Sequence, residues 1–269
     1  MTRFTLAERA WLQAALFLLA LVPVTLVAGA LDDRLLNDIS VWVKPMKFHV
    51  STAIHLLTLG ILVRFLPDRT RGAAWLSGLA LVSAGAAILE ILVITVQAAR
   101  GVASHFNNDT MIDSVIYGLM GIGVMLVILP TPIIGGRFLA AKTTDRLGGG
   151  LKLGTGLGLI LGFILTLVIA GYMSMQPTGH WVDAPRTDLG GVPIVGWSRQ
   201  GGDLRVPHFF ATHLMQALPL VGYFADKLAG KRARVIVWIA AIAGSVIAIA
   251  TFMQALAGQP FIGEGFILF

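Results

Sequence analysis

The chain has 269 residues, of which 56% are hydrophobic and 13% charged, and its mean hydropathy is +0.82. A soluble domain carries about 25% charged residues, so this composition excludes an ordinary globular protein. The formal net charge of +6 invites a nucleic-acid partner, a reading that the placement of the charges excludes below.

Seven apolar runs in the sequence are each long enough, at roughly 20 residues, to cross a hydrocarbon core about 30 Å thick. They predict transmembrane helices near 10–31, 46–66, 73–99, 111–134, 151–175, 207–228 and 234–257. The predicted fold class is an all-α integral membrane protein, a single seven-helix transmembrane domain over 1–269.

Helix one follows Arg3 and Arg9 and ends in Ala28-Gly29-Ala30, a pattern that a signal peptide shares. Its apolar run is too long for a typical signal core, so it is read as a retained helix. Helix two starts at Pro45 and carries His49, Thr52 and His55; helix three carries Glu90 and closes with "QAARG" at 97–101. The short loop "ASHFNND" then presents His105, and Asp109 and Asp113 suit an N-cap and a first-turn charge for helix four. Helix four breaks at "LPTPIIGG", and "GGRFLAAKTTDRLGGG" is a glycine-rich hinge.

Helix five holds Gly154, Gly158 and Gly162 at four-residue spacing, and helix seven holds Ala240, Gly244 and Ala248. Small residues let membrane helices approach closely. They serve packing within the bundle or, alternatively, a homodimer through helix five. The longest connection, 177–206, contains Trp181 and Trp197 and reads as a partly ordered lid. Helix six opens at Pro207 and carries His208 and His213, and helix seven closes with "QALAG" at 254–258. The matched endings, and the proline starts of helices two and six, suggest a parallel three-plus-one-plus-three repeat.

With the N-terminus inside, 13 of the 20 basic residues fall in inner segments and 7 in outer ones. Positive charge collects on the side that is not translocated, so the N-terminus is expected inside and the C-terminus outside. The surplus charge is thereby a topology signal, with membrane lipids rather than nucleic acid as its partner. A bacterial inner membrane is the expected location. The chain has no cysteine, which removes disulfides and thiolate ligands.

Ionisable side chains inside a bilayer are costly and mark function. His49, His55, His105, His208 and His213 lie in or beside the outer halves of helices. At a rise of about 1.5 Å per residue, His213, His55 and Glu90 lie roughly 9, 13 and 15 Å below the outer ends. That shared level predicts one cavity open to the outer side, fed by polar stripes that include Gln97 and Arg100. The first expectation is a metal ion or haem b bound for redox chemistry, with His55 and His213 as ligands. His49, His105 and His208 are further candidate metal ligands, Gln97 supports the cofactor, and Glu90 and Arg100 are the candidate catalytic residues. Two alternatives use the same residues. One is a proton-coupled transporter of a small molecule from the outer side; the other is a lipid-modifying enzyme that clamps headgroups with Arg100 and Arg205. No HExxH, GxSxG, P-loop or CxxC signature is present in the sequence.

Overall fold

The structure, a computed structural model, describes residues 3–265. The chain divides into two compact units, Met1–Lys142 and Thr143–Phe269, each taken here by itself.

The first unit begins with α1 (Leu6–Leu31), which starts ahead of the apolar run because its N-terminus is capped. Glu8 N donates to Thr5 Oγ1 (3.4 Å) and Thr5 N donates back to Glu8 Oε2 (3.2 Å), a reciprocal capping box. The hairpin β1 (Leu35–Leu36) and β2 (Ile39–Ser40) turns at Asn37 and Asp38, whose φ angles are 52° and 65°. Two positive φ values in succession give the type I′ twist that short hairpins need, and Asn and Asp tolerate them. Asp32 fastens this corner by accepting from Arg34 Nε (2.9 Å) and Trp42 Nε1 (2.8 Å). The Arg34 and then the Trp42 hydrogen bonds hold its carboxyl well below the usual carboxylate range.

Next come α2 (Val43–Leu62), a short turn α3 (Asp68–Arg71) and α4 (Ala74–Ala99). Trp11 Nε1 donates to Ser83 Oγ (2.8 Å) between α1 and α4, amid buried Leu18, Leu56, Leu59 and Leu76. At the opposite end from the hairpin, Arg71 is 3% exposed and its Nε donates to the fully buried Glu8 (2.8 Å). The helix predicted over 111–134 is two: α5 (Met111–Ile128) and α6 (Pro130–Ala140), parted at Pro130, which lacks the amide an uninterrupted helix would use.

The second unit follows a related order, helix, antiparallel strand pair, helix, helix: α7 (Gly149–Met175), β3 (Trp181–Val182) with β4 (Gly202–Asp203) joined through residues 183–201, α8 (Arg205–Leu228) and α9 (Ala233–Leu256). The glycine face of α7 lies on α8. A Cβ at Gly154, Gly158 or Gly162 would come within 2.2, 2.6 and 2.6 Å of Leu218 O, Leu214 O and Met215 Cγ. These glycines therefore serve packing inside the chain, and a homodimer through them would have to displace α8. Asp226 of α8 caps α7, accepting from Gly150 N and Leu151 N at 2.7 Å each.

Among the described residues, six helices are long and apolar enough to cross a membrane: Leu6–Leu31, Val43–Phe65, Ala74–Ala99, Met111–Ala140, Gly149–Met175 and Gly230–Leu256. The sixth predicted span, 207–228, forms as α8, which has the length at 24 residues but not the apolarity. Arg205, His208, His213, Gln216, Asp226 and Lys227 all interrupt its apolar sequence.

The connection between α7 and α8 is ordered by its own contacts. Arg205 gathers it, with Nη1 2.7 Å from Asp188, Nη2 2.7 Å from Asp203 Oδ2 and Nη2 donating to Gly196 O at 2.7 Å. Ser198 N donates to Asp203 (2.8 Å), and His180 Nδ1 stands 3.5 Å from the same carboxylate. Trp197 packs on Phe209, Phe210 and Phe261 with ring centroids 5.4 to 6.4 Å apart.

Candidate functional site

The polar residues of the first unit meet in its outer half, as the predicted topology names it. Glu90 lies nine residues before the end of α4, roughly 13 Å along the axis. It is 6% exposed, and its Oε1 has no hydrogen-bond partner. The gap that admits it is made by Gly123 of α5, where a Cβ would lie 2.8 Å from Glu90 Oε2. His55 of α2 neighbours the backbone of Val127, one turn further along α5, and its Nε2 is buried without a partner. The structure thus gives both groups the same helix as a neighbour.

The loop between α4 and α5 does not stay at the mouth, contrary to the simplest reading of "ASHFNND". It carries His105 downward until Nε2 is 4.0 Å from Glu90 Oε1. The ring of His105 lies 5.5 Å from that of Phe48, six residues into α2, and 6.1 Å from that of Tyr117, seven residues into α5. Both neighbours lie more than a turn inside their helices, so the loop folds inward between α2 and α5. Burial, then the nearby Lys44 charge, holds the His105 imidazole well below the usual histidine range.

Above this pair a second cluster ties the loop down. Asp113 is 3% exposed and accepts from Thr110 Oγ1 (2.7 Å), Arg100 Nη1 (3.0 Å) and Gln97 Nε2 (3.2 Å). Arg100 Nη1 also donates to Gln97 Oε1 (2.5 Å). The N-cap of α5 is Thr110, which accepts from Asp113 N (3.1 Å); Asp109 does not fill that role. Gln97 and Arg100 hold the loop, and Arg100, like Arg205, is engaged within the protein rather than held ready for a headgroup.

The remaining candidates are described by the contacts within their own units. His49 is 1% exposed and its Nδ1 donates to Pro45 O (2.7 Å), so one ring nitrogen is satisfied within its own helix turn. In the second unit, His213 Nδ1 bonds Gln216 Oε1 (3.1 Å) and its ring stacks edge-on to Phe209 at 4.2 Å. His208 Nδ1 is buried without a partner. Among the described residues no group of three or more His, Asp or Glu side chains is gathered as a metal ion would need.

Sequence reasoning passed over Phe48, Tyr117, the Glu8–Arg71 pair and His180. His180 could have been found from its place beside Trp181, which pairs with Asp203 across β3 and β4. Phe48 and Tyr117 carry no signal of their own among so many apolar residues. No family model matches the chain, and no curated protein or solved structure is significantly similar to it.

Proposed function

We propose that the chain is a proton-coupled transporter of a small solute, working through Glu90, His105 and His55 from the outer side of a bacterial inner membrane. One observation carries the reading: a buried carboxylate with an unpartnered oxygen, 4.0 Å from a partly buried imidazole. A charge left so poorly paired in a low-dielectric site is costly, so the site favours states in which Glu90 holds a proton or a guest's positive group. That alternation is what coupling requires.

The reading takes α8 as a seventh span, with the N-terminus inside and the C-terminus outside. The 13-to-7 division of basic residues supports this orientation. The polar residues of α8 suit a helix that faces protein rather than lipid. The related order of helix, strand pair, helix and helix in the two units supports a parallel repeat with α5 and α6 between its copies, a plan that transporters use.

The test is proton movement in proteoliposomes with an entrapped pH indicator, challenged with cationic, zwitterionic and anionic solutes. Solute-dependent proton uptake by the wild type, lost in Glu90→Gln, is the expected result. Uptake that Glu90→Gln leaves intact removes the reading.

A second reading, haem or metal redox chemistry, is favoured by the unpartnered imidazole nitrogens of His55 and His208. Soret absorbance of the purified protein, with elemental analysis, decides it; stoichiometric haem or metal lost in His55→Ala or His208→Ala would put this reading first.

A further inference from the structure

Three aromatic rings enclose His105. Its ring centroid is 5.5 Å from Phe48, 6.3 Å from Phe106 and 6.1 Å from Tyr117, while Phe106 and Tyr117 are 5.7 Å apart. Glu90 Oε1 closes a further side at 4.0 Å from Nε2. Aromatic faces with a carboxylate form the kind of surface that holds an organic cation, because the ring quadrupole attracts positive charge without demanding hydrogen bonds. What fills that surface is a side chain from the loop between α4 and α5.

The loop is built to put it there. Phe106 has φ 58°, a left-handed conformation that a bulky residue adopts only under constraint. Ser104 Oγ lies 3.1 Å from His105 Nδ1, which leaves Nε2 turned to Glu90. Asn107 Nδ2 donates to Ala103 O (2.9 Å), so the loop is braced within itself.

The charge around the cage is not of one sign. Lys44 Nζ lies 5.8 Å from the Phe48 centroid, and its charge reaches both Glu90 and His105. A guest with positive charge alone would gain from Glu90 and lose to Lys44. A guest bearing both signs would meet an opposite charge at each end.

We propose that this cage binds the ammonium end of a small ammonium–carboxylate zwitterion, with its carboxylate toward Lys44, and that His105 holds the guest's place as a plug. The inference rests on the transport reading of Glu90 and names its solute class. Binding must expel the plug, so the apparent affinity of the wild type is reduced by the fraction of time the loop is out.

The experiment uses glycine betaine and choline as probes, in equilibrium dialysis against the purified full chain. His105→Ala is expected to bind glycine betaine about tenfold more tightly than the wild type, the plug's competition being gone. Lys44→Gln is expected to weaken glycine betaine and leave choline, which has no carboxylate, unchanged. The chain has no native cysteine, so Ser104→Cys gives a single reporter of the loop, and glycine betaine should speed its maleimide labelling several-fold. Equal affinity in the wild type and His105→Ala overturns the plug. Should His105→Ala fail to fold, labelling that glycine betaine leaves unchanged overturns it instead. Choline bound as tightly as glycine betaine overturns the zwitterion. If glycine betaine is refused while another solute drives proton uptake that Glu90→Gln abolishes, this inference falls and the transport reading stands. If Glu90→Gln alters no proton uptake, the transport reading falls whatever the cage binds.

Discussion

Replacing Gly154 by Ala probes how closely α7 and α8 approach. The added Cβ would sit 2.2 Å from Leu218 O, 3.0 Å from Leu218 C and 3.4 Å from Gly222 Cα, where ordinary contact runs from 3.4 to 4 Å. One helix must therefore withdraw by about 1 Å, because the obstacle is backbone and has no rotamer to change. Overpacking costs typically about 1–3 kcal/mol when side chains can adjust. A gap of about 1 Å also forfeits up to half the dispersion energy along the seam. The loss should therefore reach about 3 kcal/mol, which is more than about a hundredfold in the unfolding equilibrium. Gly171 on the same helix is the control, since a Cβ there meets nothing within 4 Å. Gly171→Ala should be neutral or gain up to about 1 kcal/mol of helix propensity. The assay is reversible unfolding in mixed micelles by titration with a denaturing detergent. If the Gly154→Ala protein unfolds at the same detergent fraction as the Gly171→Ala protein, the helices are not packed backbone to backbone and the reasoning is wrong.

Two further outcomes follow from the buried charges. Glu8→Ala should destabilise the first unit by about 3 kcal/mol, the low end for a broken buried pair, because Arg71, 3% exposed, keeps only the exposed Asp68 (2.9 Å) as a partner. Asp32→Ala should lose far less through its ion pair with the half-exposed Arg34, which solvent screens, and equal effects in the same detergent titration would refute the distinction. The connection between α7 and α8 should loosen in acid. Burial holds His180 below the usual histidine range; Asp203 is held below the usual carboxylate range despite its burial, because His180 stands beside it and Arg205 donates to it. A released His180 takes up a proton near pH 6.5 that the folded one refuses, so the stability of this connection falls as pH drops below about 6.5; the Asp203 contribution follows below about pH 4. Amide hydrogen exchange over 177–206, corrected for its intrinsic pH dependence, measures this, and equal protection at pH 8 and pH 5 would contradict it.

The helices were legible because an apolar run of the right length has few other uses. Their starts were less so: α1 begins at Leu6 through the Thr5–Glu8 capping box, and α2 begins two residues ahead of Pro45. The shortfall of α8 could be read from the charged and amide residues that dilute it. The candidate site was only half legible. Glu90 and His55 stand out by depth, since a bilayer makes each buried ionisable group conspicuous. The descent of His105 had no periodic signal to announce it, because an irregular loop obeys contacts made far away in sequence. Its position depends on Phe48, on Tyr117 and on the anchoring of Arg100 and Gln97 by Asp113, a residue whose sequence position suggests only a helix start.

The echo between "QAARG" and "QALAG" has a local cause. Gly101 and Gly258 have φ of 74° and 69°, the left-handed turn that ends a helix. Behind them the backbone pattern is identical: Gly101 N to Ala98 O with Val102 N to Gln97 O, and Gly258 N to Ala255 O with Gln259 N to Gln254 O. Any helix closed this way favours glycine there, so the letters testify to a cap more than to a duplication. The glutamines add something the cap does not require, since each ties down the segment beyond its helix: Gln97 through Asp113, and Gln254 by donating to Pro260 O (2.9 Å). At the same offset, the position of Glu90 is taken in α9 by Ile247, which is 45% exposed. The two units therefore share an order of elements and a way of ending their third helix, but the carboxylate belongs to the first alone. A transporter built on two such halves would carry its chemistry in one of them, which is why the tests of function above fall on Glu90, His105 and Lys44.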